Sequence, residues 1–182
     1  MKMKKIFMTL AAVMCCAMIS SVFTACGSDD DKDSDNGKAV AAVMNYMVNV
    51  GEDLFAALDL TIEYYDANGK VQSEKMTSKE WEKVVSAKLP ATLGVRLKAQ
   101  LKPSFDVTSG KTFIAAFGYS YAGYALDAAG EVVSTPAISS SEESMSMRVG
   151  EIAEWLERRS DGILKYLYTF DVNGKATSAT WQ

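Results

Sequence analysis

Leu93-Gly94-Val95-Arg96-Leu97-Lys98-Ala99-Gln100-Leu101-Lys102 decides the fold class. Leu93, Val95, Leu97, Ala99 and Leu101 alternate with Gly94, Arg96, Lys98, Gln100 and Lys102. Side chains of a strand point alternately to its two faces, so the stretch predicts a strand with one buried face and one cationic face.

The same period recurs along the chain. Leu58, Leu60, Ile62 and Tyr64 alternate with Asp59, Thr61, Glu63 and Tyr65. Ala42, Met44, Tyr46, Val48 and Val50 form an earlier set, broken by Gly51-Glu52-Asp53. Val71–Met76 and Trp81–Lys88 read as strands on either side of a polar corner. Thr112–Leu126 reads as a long strand with Phe113, Phe117, Tyr119 and Tyr121 on one face. Glu131–Ser134 is a short return, and Thr135–Met145, rich in Ser and Glu, is expected to be a mobile loop. Val149–Ser160 predicts a helix, with Val149, Ile152, Ala153 and Leu156 on its apolar face. Leu164–Phe170 and Lys175–Trp181 close the chain as strands.

Three turns share one grammar: Asp66-Ala67-Asn68-Gly69, Asp127-Ala128-Ala129-Gly130 and Asp171-Val172-Asn173-Gly174. Asp bonds its own backbone two residues on, and Gly takes the left-handed position that closes a bulged hairpin. The likeness is assigned to shared hairpin chemistry rather than to a duplicated domain. Eight or nine short strands with such turns predict a mainly β, antiparallel, immunoglobulin-like β-sandwich with one short helix near the C-terminus. A lipocalin-like up-and-down barrel is the alternative.

The first 38 residues follow other rules. Lys2, Lys4 and Lys5 precede an uncharged run, Ile6–Phe23, which predicts a secretory signal peptide over 1–25. An uncleaved membrane-spanning helix is the competing reading. Residues 26–38 then form an acidic tether too polar to bury a core, with 39–182 as a single β-rich domain. The 12 tether residues 27–38 reach about 40 Å when extended. Asp31–Gly37 falls short of a calcium loop, with its glycine one place late and Ala42 where a bidentate acid is required.

Phe23-Thr24-Ala25-Cys26 resembles the lipobox of bacterial lipoproteins, with Phe23 where Leu is usual. Ser28, Asp29, Asp30 and Asp31 directly after Cys26 resemble the surface-export signal of Bacteroidota lipoproteins. The resemblance implies cleavage before Cys26, lipidation of its thiol and attachment to the outer membrane facing the cell exterior, or its periplasmic face. It implies no particular activity. One acyl chain anchors only marginally and stable attachment takes two signals, which a multiply acylated Cys26 supplies.

Composition narrows the function classes. Histidine is absent, which removes His-based acid–base, nucleophilic and zinc chemistry. The three cysteines are Cys15, Cys16 and Cys26, so residues 39–182 hold no disulfide and no thiolate site. Loss of Lys2, Lys4 and Lys5 leaves 16 basic against 23 acidic residues, a net charge of −7 that disfavours nucleic acid as a partner. No cofactor, metal site or catalytic residue is expected.

Glu142-Glu143, the helix acids Glu151, Glu154 and Glu157, and the pair Asp59 and Glu63 read first as solvated charge. Arg96, Lys98 and Lys102 form a stripe that meets either an acidic partner or Asp59 and Glu63 across strands. Trp81, Tyr119, Tyr121 and Trp155 are the candidate ligand contacts, with Trp181, Tyr166 and Tyr168 beside them, although aromatics at strand period usually fill a core. Trp155 lies off the apolar stripe of its helix and marks a contact surface if exposed. The expected function is a membrane-anchored, non-catalytic binding module for a glycan or protein. A fimbria-like assembly subunit and a carboxylate-dependent hydrolase are the alternatives.

Overall fold

The computed structural model describes residues 37–108, 110–134 and 136–181. The signal peptide, Cys26, Ser28, Asp29, Asp30 and Asp31 lie outside the described residues. The described chain forms β1 (Ala41–Val50), α1 (Glu52–Ala57), β2 (Leu58–Tyr65), β3 (Val71–Lys75), β4 (Glu80–Lys88) and β5 (Ala91–Leu101). It continues with β6 (Thr112–Leu126), β7 (Ala137–Arg148), a 3-10 turn (Val149–Glu151), α2 (Ile152–Glu157), β8 (Leu164–Phe170) and β9 (Ala176–Ala179).

The strands build two antiparallel sheets, here called the small sheet, β4-β1-β6-β7, and the large sheet, β3-β2-β5-β8-β9. They face each other as a β-sandwich and do not close into the alternative barrel. β5 lies at the centre of the large sheet, with Leu60 opposite Ala99 and Ile62 opposite Leu97 on one flank, and Val95 opposite Tyr166 on the other. Leu93, Val95 and Leu97 are fully buried. They pack in one cluster with Met44, Tyr46 and Val48 of β1 and Phe113 and Phe117 of β6. Full burial of such a side chain contributes roughly 1.5–3 kcal/mol, so the facing apolar rows hold the layers together.

The edges are guarded by charge. β3 and β4 are neighbouring edges of opposite sheets, and each turns one charged side chain inward. Glu74 shares the face of Ile62, and Lys83 that of Tyr46. Inward-pointing charge discourages edge-to-edge association. Glu143 of β7, opposite Phe117, does the same on the other side of the small sheet.

Four expectations are corrected. The expected loop over Thr135–Met145 gives way, from Ala137 on, to a strand: Ala137–Arg148 has 12 residues, in register with β6 from Thr112–Arg148 to Gly123–Ala137. Serine and glutamate have low strand propensity, and pairing with β6 overrides it. The expected return Glu131–Ser134 shrinks to one bridge, Leu126–Val132, because Ser134 Oγ takes the Ala125 amide at 2.7 Å. Gly51-Glu52-Asp53 is the start of a second short helix, α1, not merely a break. Glu52 and Asp53 sit in its first turn, Leu54 and Ala57 are buried, and Lys102 Nζ donates to the Phe55 and Ala56 carbonyls at 2.7 and 3.0 Å. The fourth correction concerns the burial of Trp155, described below.

The three Asp…Gly turns have one geometry. Asp66 Oδ1 accepts from Asn68 N and Lys70 N, Asp127 Oδ1 from Ala129 N and Glu131 N, and Asp171 Oδ1 from Asn173 N and Lys175 N, all at 2.8–2.9 Å. Their surroundings differ. Gly69 has φ +72° with open space where a Cβ would stand. Gly174 has φ +77°, and a Cβ there would strike that of Ala125 and come within 2.9 Å of that of Ala39. Replacing either glycine with alanine costs about 1–2 kcal/mol for the left-handed backbone. Gly174→Ala adds a clash with packed backbone-borne atoms, so thermal denaturation is expected to show a clearly larger loss for Gly174→Ala than for Gly69→Ala. Equal losses would mean that the β8–β9 turn is not pinned against the sandwich end.

Candidate functional site

The candidate aromatics fall into separate environments. Trp155 is 1% exposed, so it is core rather than a contact surface. The 3-10 turn places Val149 three residues before Ile152, and Trp155 follows three further on in α2, so the three share one buried face. Ala153 is exposed instead. Trp155 packs on Phe117 at 6.4 Å, with the Arg159 guanidinium 4.7 Å from its ring.

Tyr119 and Tyr121 belong to a seam of tyrosines between the sheets. Tyr121 lies 4.4 Å from Tyr166 and 5.3 Å from Tyr168, and Tyr46 lies 6.1 Å from Tyr166. The Tyr121 and Tyr168 hydroxyls bond each other. Those of Tyr46 and Tyr166 are buried and have no hydrogen-bond partner among the described residues. Burial pushes the Tyr46, Tyr121 and Tyr166 phenols well above the ordinary range. These rings stay neutral and join the layers.

Trp81 closes the opposite edge, where the inward charges of β3 and β4 meet. Glu74 accepts from Lys83 Nζ, from Trp81 Nε1 at 3.0 Å and from the Tyr64 hydroxyl at 2.7 Å. The Lys83 ammonium and the Trp81 N–H do most to bring the Glu74 carboxyl down to about 2. Glu74 and Lys83 carry no mark in the sequence, because only the strand register shows that they face inward.

The cationic stripe pairs across strands. Arg96 Nε and Nη2 donate to Glu63 Oε2 at 2.8 and 2.6 Å, and Nη1 to Asp161 Oδ1 at 2.9 Å. Lys98 reaches Glu63 at 3.3 Å, while Asp59 pairs with Lys75 at 2.8 Å. Burial works against the Glu63 charge, but bonds from Arg96 and Lys98 outweigh it and hold the carboxyl below its usual range. The Arg96 guanidinium also lies 4.6 Å from the Trp181 ring. Trp181 stands 4.9 Å from Tyr65 and donates Nε1–H to the Tyr166 carbonyl at 3.0 Å. The C-terminal segment is thereby clamped across the outer face of the large sheet.

Beside that clamp opens a groove of about 820 Å³, within the range of small-molecule sites. Its floor is a cross-strand row, Thr92–Thr169–Thr177, on β5, β8 and β9. Tyr65 and Asn68 border it from the β2–β3 hairpin, and Asp171 and Lys175 from the β8–β9 hairpin; Lys88 and Thr180 complete the rim. Asp171 is the carboxylate among its described lining residues, and its Oδ1 is held by the Asn173 and Lys175 amides. A second pocket of about 290 Å³ includes Asp53, Phe105, Asp106 and Lys111. There Asp53 accepts from Ile114 N and Asp106 from Thr108, both at 2.8 Å, so its acids serve local structure.

Sequence reasoning placed Tyr65 on an outward face but missed Thr92, Thr169, Thr177, Lys88 and Lys175, which converge only once the strands are paired. Among the described residues no three Asp or Glu side chains stand together as a metal site. No family model matches the chain, and no curated protein matches it.

Glu74 provides a test of the edge clasp. Its folded value near 2 lies below its ordinary 4.5, so the stabilisation is present above pH 4.5 and disappears as pH falls through 2. The pair is solvent-accessible, so Glu74→Gln is expected to cost about 1 kcal/mol at pH 7. In urea titrations the gap to the native protein should close between pH 4.5 and 2. A gap independent of pH would show that Glu74 contributes no charge to the clasp.

Proposed function

We propose that this chain is a lipid-anchored module of the outer membrane, displayed at the cell exterior, which binds a glycan without transforming it. The observation that carries the binding half is the hydroxyl-lined groove on the outer face of the large sheet. Thr92, Thr169, Thr177, Thr180 and Asn68 offer donors and acceptors that match sugar hydroxyls, and Tyr65 offers a ring face. Hydrolysis by carboxylates takes two acids flanking one bond. The groove instead brings one, engaged in its own turn. The anchoring half rests on the lipobox-like Phe23-Thr24-Ala25-Cys26 and the acidic run that follows.

The halves are tested separately. Cys26→Ala is expected to abolish palmitate incorporation and detergent-phase partitioning while leaving the thermal transition unchanged. Retained labelling would refute the anchor. For the groove, the purified full-length chain in detergent micelles is titrated with neutral and acidic tetrasaccharides. At least one is expected to bind, and Thr169→Trp, which fills the groove floor from an exposed position, is expected to weaken it at least tenfold without changing the melting temperature. Binding by none, or unchanged binding in Thr169→Trp, would remove the glycan assignment.

A further inference from the structure

The groove's charge runs against that of its protein. The chain carries a formal net charge of −4, and its part beyond Phe23 is more acidic still. Yet the groove lining holds two lysines, Lys88 and Lys175, against one acid, Asp171. Within the described strands every lysine but Lys88 is ion-paired: Lys75 with Asp59, Lys83 with Glu74, Lys98 with Glu63 and Lys165 with Asp161. Lys88 and Lys175 are exposed and enter no ion pair among the described residues. They are also held in place by their backbones. Lys88 is the last residue of β4, opposite Ala41. Lys175 follows the pinned Gly174, and its amide is bonded to Asp171 Oδ1 at 2.9 Å.

Two lysines among the residues lining a hydroxyl-rich trough are a recognition pattern for a ligand bearing both hydroxyls and negative charge. Each lysine is a compact point charge, suited to a carboxylate or sulfate without bidentate geometry. The threonine row and Asn68 both donate and accept, which matches the ring hydroxyls of a sugar, whereas an acidic peptide side chain only accepts and uses their donors alone. We propose that the groove takes an acidic glycan, a saccharide chain bearing uronate carboxylates or sulfate esters, with Lys88 and Lys175 as its anion contacts. This rests on the groove being the glycan site; it adds the ligand's charge and the residues that read it.

The test uses the full-length chain in detergent micelles and four soluble probes at matched concentration: tetragalacturonate, a sulfated tetrasaccharide, the neutral maltotetraose and the lipid headgroup glycerol 3-phosphate. The expected result is tighter binding of an acidic tetrasaccharide than of the neutral one, weakening as salt rises from 50 to 500 mM. Whichever of uronate and sulfate binds tighter identifies the anion. Lys88→Gln and Lys175→Gln are each expected to weaken acidic binding about threefold, as for exposed ion pairs, to flatten its salt dependence, and to leave melting unchanged. Equal binding of neutral and acidic chains, or insensitivity to both substitutions, would overturn the charge assignment while the groove remains a sugar site. Binding of glycerol 3-phosphate alone, lost in the lysine variants, would overturn the sugar in favour of a lipid headgroup. Binding of no probe would overturn this inference together with the glycan reading beneath it.

Discussion

The structure depends on two sheets burying each other's apolar faces without a covalent staple, since the described residues contain no cysteine. β5 bears most of that constraint. Its inner row, Leu93, Val95 and Leu97, is fully buried, and both its flanks are paired within the large sheet. Close-packed interiors tolerate little volume change, so this strand sets where β2, β8 and the facing β1 and β6 lie. The tyrosine seam and the Glu74–Lys83 clasp finish the two open sides. The seam supplies apolar area with hydroxyls at its fringe, and the clasp supplies charge where water begins.

The outer face of β5 makes the connection to function. Arg96 leaves the core row by one residue and meets Glu63, Asp161 and the Trp181 ring at once. Its side chain is 12% exposed, so these contacts are little screened. A guanidinium of this kind binds a carboxylate in its plane and an aromatic ring on its face, which lysine does not. Trp181 then supports Tyr65 at the border of the groove. The strand that organises the core thus also fixes one wall of the site.

Strands whose neighbours gave them one wet and one dry face were legible in the sequence, and β2, β6 and β8 have the ranges that alternation predicts. The Asp…Gly turns were legible because their chemistry is local. β7 was not, because an edge strand wet along most of its length shows no alternation. α1 was not, because six residues with two buried side chains leave little periodic signal. Trp155 was misplaced because its helix begins as a 3-10 turn with a period of three. The groove was the least legible feature. Thr92 lies far in the chain from the hairpin pair Thr169 and Thr177, and only pairing of β5, β8 and β9 aligns the three.

We propose that the outer face of the large sheet, beside the Trp181 clamp, is where this protein meets its ligand. Chemical-shift mapping of the isotope-labelled full-length chain in detergent micelles, titrated with tetragalacturonate, tests it most directly. The account predicts shifts at the amides of Asn68, Thr92, Thr169 and Thr177 and at the Trp181 indole, with β6 and β7 unmoved. Shifts confined to Tyr119 and Tyr121 in the tyrosine seam, or no shifts at saturating ligand, would contradict it.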